Sequence, residues 1–285
     1  LASKDTAFYS KKTLNISGNV LDLTMPRIMG ILNVTDDSFY DGGRYCNPAS
    51  ISRQVERMIG EGVDIIDIGG YSSRPNAQHI DEEVELQRVK VGIEAARAVS
   101  KKVPISVDTF RSGIAQKSLE WGADMINDIS GGELDKRMIE VISDTKVPYI
   151  IMHMKGTPQD MMNQTDYDDI ISDLVDDLAK KVQKLTNIGI KDVIIDVGFG
   201  FSKTLEQNHK LLHHLRYFKS LNMPLLVGIS RKSMIFRALK CDPEQTLNGT
   251  TALHSVAVLA GAEILRVHDV KEAKEVVKLL NIAKR

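Results

Sequence analysis

DVIIDVGFGFSKTLEQNHKLLHHLRYFKSLNMPLLVGIS, residues 192–230, is the stretch whose reading decides the fold. It opens on a short β-branched run (192–198), passes through helical apolar spacing after Leu205, and returns to a second apolar run (224–230). Both runs are apolar nearly throughout instead of alternating, as parallel strands covered on both faces require. Working outward, the same kind of run recurs as RIMGILN (27–33), VDIIDIG (63–69), VPISVDT (103–109), ADMINDI (123–129) and VPYIIMH (147–153) upstream, and as AEILRVH (262–268) downstream. The strand count is eight.

Amphipathic stretches fill the gaps. Residues 81–99 and 168–186 carry 3.6-residue apolar spacing with charged outer faces, Gly189 stops the second, and shorter patterns follow Arg111, Leu134, Leu205, Arg231 and Val270. Strand-helix alternation also suits an open doubly wound sheet, but eight units in about 250 residues match a closed barrel in number and length. The expected fold is α/β, a single (β/α)8 TIM barrel, with a β-hairpin-like extension at 13–23 placed to plug its bottom. No linker, tandem repeat or low-complexity run divides the chain, so residues 14–285 are expected to form one domain after a flexible N-terminal segment, 1–13. The chain opens on Leu1, not Met, and its first residues are left out of the fold argument.

Composition narrows the partners. In 285 residues, 37 basic side chains against 38 acidic give a net charge of -1, which points away from nucleic acid or an anionic membrane and toward a small molecule. Cys46 and Cys241 form no metal-ligand or disulfide spacing. No signal peptide or membrane-length apolar run is visible, so a cytoplasmic location is expected.

In a barrel of this kind, chemistry sits where strands end and the following loops begin. Asn33, Asp67, Asp108, Asn127, Asp128, His153, Asp196, Ser230 to Lys232, Arg266 and His268 all fall at or near such ends. Any one of them is ordinarily a helix cap or turn residue, but eight strands delivering polar groups to one mouth favour a site. Asp108, Asn127 and Asp196 suit a heterocycle edge rich in N–H donors, a pterin or a purine. Lys232 beside Arg231, and Arg266 with His268, suit an anionic group. The loop NVTDDSFYDGG (33–43) offers hard oxygens for Mg²⁺, or is an ordinary polar loop. GGYSSRPNA (69–77), stiffened at Arg74-Pro75, is either a lid or a surface turn. Of Met152 and Met154, one is expected to face the ligand and the other a helix. His213 and His214 read as surface or helix contacts, and Trp121 as a packing anchor.

Eight segments then carry a more specific likeness: GILNVTDDSFYDGG, SSRP, SVDTFR, INDISGG, MHMKGTP, DVGFGF, GISRKSM and RVHDV, in this order from residue 30 to residue 270. The chain resembles the dihydropteroate synthases from Leu14 nearly to its C-terminus. The resemblance implies a transferase that condenses 7,8-dihydropterin-6-ylmethyl diphosphate with p-aminobenzoate, releasing pyrophosphate, with diphosphate departing before the amine attacks. It implies a pterin pocket of Asp108, Asn127, Ile129, Met152, Asp196, Phe201, Gly228, Lys232 and Arg266. Diphosphate would meet Asn33, Arg74, Arg266 and His268, with Asn33 and Asp41 near Mg²⁺. The p-aminobenzoate site would comprise Phe39, Ser73, Arg74, Pro75, Phe201, Lys232 and Ser233, and catalysis would rest on Asp108, Asp196, Lys232, Arg74 and Asp41. A homodimer and competition by sulfonamides are implied as well. The chain departs from the family pattern at Asp36, Tyr71, Ser73, Asn76, Val197 and Ser202, which bears on loop dynamics more than on reaction class. A related methyltransferase that passes a folate methyl group to a corrinoid shares barrel and pocket but has no need of DSFYDGG, SSRP and SRKSM. A non-enzymatic pterin-binding protein would have little use for the diphosphate-binding cations.

Overall fold

A computed structural model describes residues 11–35, 47–72 and 79–283. A hairpin of β1 (Thr13–Ile16) and β2 (Asn19–Asp22) comes first. The eight expected strands follow as β3 (Arg27–Asn33), β4 (Ile65–Gly69), β5 (Ile105–Asp108), β6 (Met125–Asp128), β7 (Tyr149–Met152), β8 (Val193–Asp196), β9 (Leu225–Val227) and β10 (Ile264–Val267). All their pairings are parallel, and β10 pairs with both β9 and β3, which closes the barrel and excludes the open sheet. Most strands are shorter than the apolar runs that announced them, because one or two residues at the start of most runs precede the ladder and one to three at the end of most leave it for the loop above.

Helices α1 (Pro48–Gly60), α2 (Glu82–Val99), α3 (Ser112–Glu120), α4 (Met138–Thr145), α5 (Ile170–Asn187), α6 (Leu205–His213), α7 (Ser233–Leu239), α8 (Leu247–Leu259) and α9 (Val270–Ala283) wrap the barrel. The sequence reading did not single out α1 or α8. The first opens at Asn47, whose side chain accepts from the Ala49 amide, with Pro48 in the first turn where a missing N–H costs nothing. The second, LNGTTALHSVAVL, carries no charged stripe, so no amphipathic period marks it.

Two apolar layers hold the fold. One lies between sheet and helices and includes Leu32, Ile68, Val107, Leu174, Phe199 and Phe218. The other fills the bottom of the barrel, where Met29, Ile65, Met125, Ile150, Ile194, Leu226 and Ile264 project inward and Leu14, Ile16 and Leu23 of the hairpin segment close over them. The hairpin is the plug that its position suggested.

Carboxylates staple the same end. Asp64, Asp124 and Glu263, each just before an even-numbered barrel strand, accept an amide at the start of the preceding strand: Ile28, the second residue of β3, at 2.8 Å, and Ile105 and Leu225, the first of β5 and β9, at 2.8 Å and 2.9 Å. Each also binds a base, Lys274, Arg97 and Lys219 respectively. A strand-start N–H outside the ladder needs an acceptor once buried, and an ionised one is the strongest available. Lys11 and Lys12, in the segment expected to be flexible, contact Asp192 and Glu263 here.

Because Leu14 is only 1 % exposed in this plug, Leu14→Ala is expected to cost about 2–5 kcal/mol. The check is urea unfolding, where the midpoint falls at unchanged slope.

Candidate active site

Side chains alternate faces along a strand, so the apolar layer at the bottom fixes what stands above it. Two residues beyond Met29, Ile65, Met125, Ile150, Ile194, Leu226 and Ile264 come Ile31, Asp67, Asn127, Met152, Asp196, Gly228 and Arg266. Two further on come Asn33, Gly69, Ile129, Met154, Gly198, Ser230 and His268. Ile31, Asn33, Gly228, Ser230, Arg266 and His268 of these two tiers, with Asp108 of β5, line a cavity of about 470 Å³ at the C-terminal mouth, and residues of the loops above complete it. A larger concavity of about 770 Å³ between α5 and the 214–220 turn is open to solvent and lacks buried converging charge; the smaller one has the chemistry.

Arg266 is the centre of the lower tier. Its Nε donates to Asp67 Oδ2 at 2.6 Å and its Nη2 to Asp108 Oδ2 at 2.7 Å, while Asn127 Nδ2 donates to the same Asp67 oxygen at 3.0 Å. Asp67 is fully buried, whereas the Asp108 side chain keeps 15 % of its surface exposed. Burial raises Asp108 to about 7, against the pull of Arg266 and with the repulsion of Asp67 added. The Arg266 guanidinium stays charged throughout, because both carboxylates outweigh its own burial.

Asp196 faces this group from β8. Its Oδ1 accepts from the Gly198 amide at 2.8 Å, and burial raises its carboxyl above the ordinary range despite nearby Lys232. Lys232 donates to the Phe199 carbonyl at 2.5 Å and stands 4.7 Å from the centre of the Phe201 ring; burial lowers it to about 8. Gly228 leaves room between two cations: a Cβ there would lie 3.7 Å from Arg266 Cβ and 3.9 Å from Lys232 Nζ. Ile129, Met152, Met154 and Met161 form an apolar wall joined by Phe110 and Phe201. At the rim, His268 Nδ1 and Ser230 Oγ lie 3.0 Å apart, and Ser233 lines the opening.

Strand parity also removes residues from the mouth. Asp128 and His153 fall between the inward-facing positions of their strands and turn outward. Asp128 binds Tyr149 Oη at 2.6 Å and the amides of Ser130 and Gly132; His153 lies 3.0 Å from Asp177 and 3.2 Å from Tyr167 Oη. Met152 and Met154, two residues apart, share a face, so both join the apolar wall instead of dividing between ligand and helix. Arg231 is paired with Asp269 at 2.5 and 3.0 Å, which offsets its charge. His213 and His214 meet edge to face outside the barrel with Tyr217 tilted against His214, and Lys90 sits over Trp121.

Ile31, Tyr71, Ser72, Met161, Phe236, Pro243 and Glu244 line the cavity without having been expected. Parity finds Ile31. Met161, Pro243 and Glu244 come from single turns of 3₁₀ helix far along the loops, where no local pattern marks them. Asp36, Phe39, Asp41, Cys46, Ser73, Arg74, Pro75 and Asn76 lie outside the described residues.

Comparison with known proteins is consistent with this geometry along the whole barrel. The family model described as a pterin binding enzyme matches residues 29–268. A dihydropteroate synthase of Synechocystis sp. is 42% identical over 255 residues, covering 88% of both chains, and that of Escherichia coli K12 is 40% identical over 265 residues, covering 92% of this chain and 93% of its own. The crystal structure of the Yersinia pestis dihydropteroate synthase with a sulfonamide drug complex superposes with a TM-score of 0.89 at 39% identity, covering 95% of this chain and 99% of that one. A closed parallel barrel with an acid-lined, cation-bearing mouth, and this degree of likeness over nearly the full length, place the chain in the dihydropteroate synthase family of pterin-binding transferases.

Proposed function

We propose that the two tiers at the barrel mouth bind 7,8-dihydropterin-6-ylmethyl diphosphate and p-aminobenzoate and join them into 7,8-dihydropteroate, the condensation its family performs in folate biosynthesis. The observation that carries the assignment is the placement of Arg266 between Asp67 and Asp108, with Lys232 lining the same cavity and Asp196 near enough to both cations to feel their charge. Asp108, Asp196 and the Asn127 amide oxygen accept from the N–H groups of a pterin edge, while the ammonium of Lys232 donates to a ring acceptor. Ile129, Met152 and Phe201 enclose the ring, Arg266 stacks on its face, and Gly228 leaves the space that the ring needs.

The diphosphate then lies toward Asn33, Arg266 and His268, with Arg74 completing its shell. Asn33 contributes one neutral oxygen at the rim, and among the described residues no three His, Cys, Asp or Glu side chains gather to hold a metal. That donor set suits a Mg²⁺ held mainly by substrate phosphates and water, with Asn33 and Asp41 as its protein ligands. When bound, the ion supplies charge neutralisation on the leaving group.

Cleavage of the C–O bond sends its electron pair out with diphosphate, where Arg266 and His268 stabilise it, and leaves a pterin cation stabilised by the carboxylates of Asp108 and Asp196. The neutral amine of p-aminobenzoate forms the new C–N bond and loses a proton. An aniline nitrogen is nucleophilic when neutral, so no strong base is required. Phe201, Lys232 and Ser233, with Phe39, Ser73, Arg74 and Pro75, position that amine and exclude water.

The same reading places residues 14–285 as one functional unit in the cytoplasm. No helix among the described residues is long and apolar enough to cross a membrane. A homodimer is supported by four exposed apolar side chains on neighbouring helices, Val256 and Leu259 of α8 and Leu279 and Ile282 of α9.

With pterin diphosphate, p-aminobenzoate and Mg²⁺, the protein is expected to release pyrophosphate and dihydropteroate in equal amounts, and Asp108→Ala to lower kcat by about 10²-fold or more. Binding without either product would leave the pocket and remove the catalytic assignment. The pH profile follows from Asp108: its carboxylate is the active form, so kcat/KM for pterin diphosphate is expected to fall as pH drops below about 7, and Asp108→Asn to flatten that limb. Stability has the opposite sign, since a carboxyl raised from 3.8 to about 7 stabilises the fold at low pH and loses that contribution as pH rises through 7. Sulfonamides are expected to compete with p-aminobenzoate; inhibition independent of its concentration would remove the shared site.

A further inference from the structure

Lys203 lies outside every strand end and takes no part in the chemistry above, yet it is one of the most deeply buried cations, 2 % exposed. Its Nζ faces three backbone carbonyls: Gly198 at 2.9 Å, Phe201 at 3.0 Å and His153 at 3.4 Å. An ammonium has three N–H donors, and three acceptors from two strand ends and one loop match them. Burial lowers this ammonium to about 7 against the pull of Asp196, and the three carbonyls are the acceptors that favour its protonated form.

What these carbonyls belong to is the segment after β8. Gly198 has φ +72°, and any Cβ there would sit 2.2 Å from the His153 carbonyl oxygen, so the backbone is pressed against the end of β7. Ser202 is left-handed as well, φ 44°, a strained conformation for a residue with a side chain. Its carbonyl accepts from Tyr167 Oη at 3.0 Å and its Oγ from the Lys155 amide at 3.0 Å. Asn208 grips the far side, accepting from the Gly200 amide at 2.7 Å and donating to the Thr204 carbonyl at 2.6 Å. The segment so held presents the Phe199 carbonyl to Lys232 Nζ and the Phe201 ring beneath it.

We propose that Lys203 is a positioning residue of the condensation: its ammonium ties the His153, Gly198 and Phe201 carbonyls into one knot and thereby sets Phe201 and Lys232 for the incoming p-aminobenzoate. This rests on the assignment of Phe201 and Lys232 to the amine site. The pterin shares Phe201 and Lys232 but depends on this segment less, because Asp108, Asn127, Asp196 and Arg266 also hold it from the strands, while the described part of the amine site consists of Phe201, Lys232 and Ser233 alone around this segment. Lys203 touches no reacting atom.

The test compares the wild-type protein with Lys203→Met, Lys203→Gln and Phe201→Ala. It reads KM for p-aminobenzoate at saturating pterin diphosphate, kcat, affinity for pterin diphosphate alone by equilibrium titration, and thermal midpoint. Lys203→Met is expected to raise KM for p-aminobenzoate about tenfold or more, with pterin diphosphate affinity changed by no more than about threefold. Lys203→Gln, which keeps two donors on a shorter stem, is expected to fall between; should Lys203→Met fail to fold, Lys203→Gln decides by the same ratio. A KM for p-aminobenzoate unmoved by Lys203→Met but raised by Phe201→Ala overturns the role of Lys203 and leaves the site. Equal weakening of both substrates overturns it too, since that is general loosening. If Phe201→Ala itself leaves KM unchanged, the amine-site assignment fails first and takes the proposal with it.

Discussion

Arg266 bridges Asp67 and Asp108 across the inside of the barrel, and the site depends on that bridge. Two buried carboxylates on adjacent strands repel, and without a cation between them at least one would take up a proton. The guanidinium answers both with separate N–H donors in one plane, which an ammonium on a flexible stem does not do. The bridge is weak evidence for stability, since desolvation of three charges offsets much of the attraction. Its effect is to hold acceptors and a cation at fixed places inside one mouth.

Strand parity makes this economical. An apolar ring at the bottom, a charged ring two residues up and a rim two residues further follow from one alternation repeated around the barrel. The bottom is tied by carboxylates to strand-start amides and closed by the hairpin segment; the top is left to ligands. The outward-facing partners at the top, Asp128 and His153, hold loop backbones and helix α5 instead of substrate. Loops at the mouth are therefore braced from behind by polar networks that never touch the cavity.

The departures from the family pattern divide in the same way. Tyr71 is at the cavity itself and is held there by its neighbours: Gln159 donates to its hydroxyl at 2.7 Å, and its ring meets Phe110 edge to face. Ser202 takes a left-handed conformation that a glycine would adopt without strain, and its hydroxyl and carbonyl both gain partners that offset it. Val197 is fully buried in the layer between sheet and helices, on the opposite side of the strand from Asp196.

Eight apolar runs and their spacing settled the barrel from sequence, because a parallel strand covered on both faces leaves a run that local composition reveals. The strand-end residues Asp108, Asn127, Asp196, Lys232 and Arg266 were legible for the same reason, being tied to runs already located. Sequence alone did not separate Asn127 from Asp128 or Met152 from His153, since facing direction needs the register against a known inner layer. Nor did it show Lys203, whose partners are carbonyls of three residues as far as 50 positions away. The alternation of polar and apolar residues was written in the chain; which alternate faced the ligand, and which loop residues were pinned behind it, was decided when closure of the barrel gave the strands an inside.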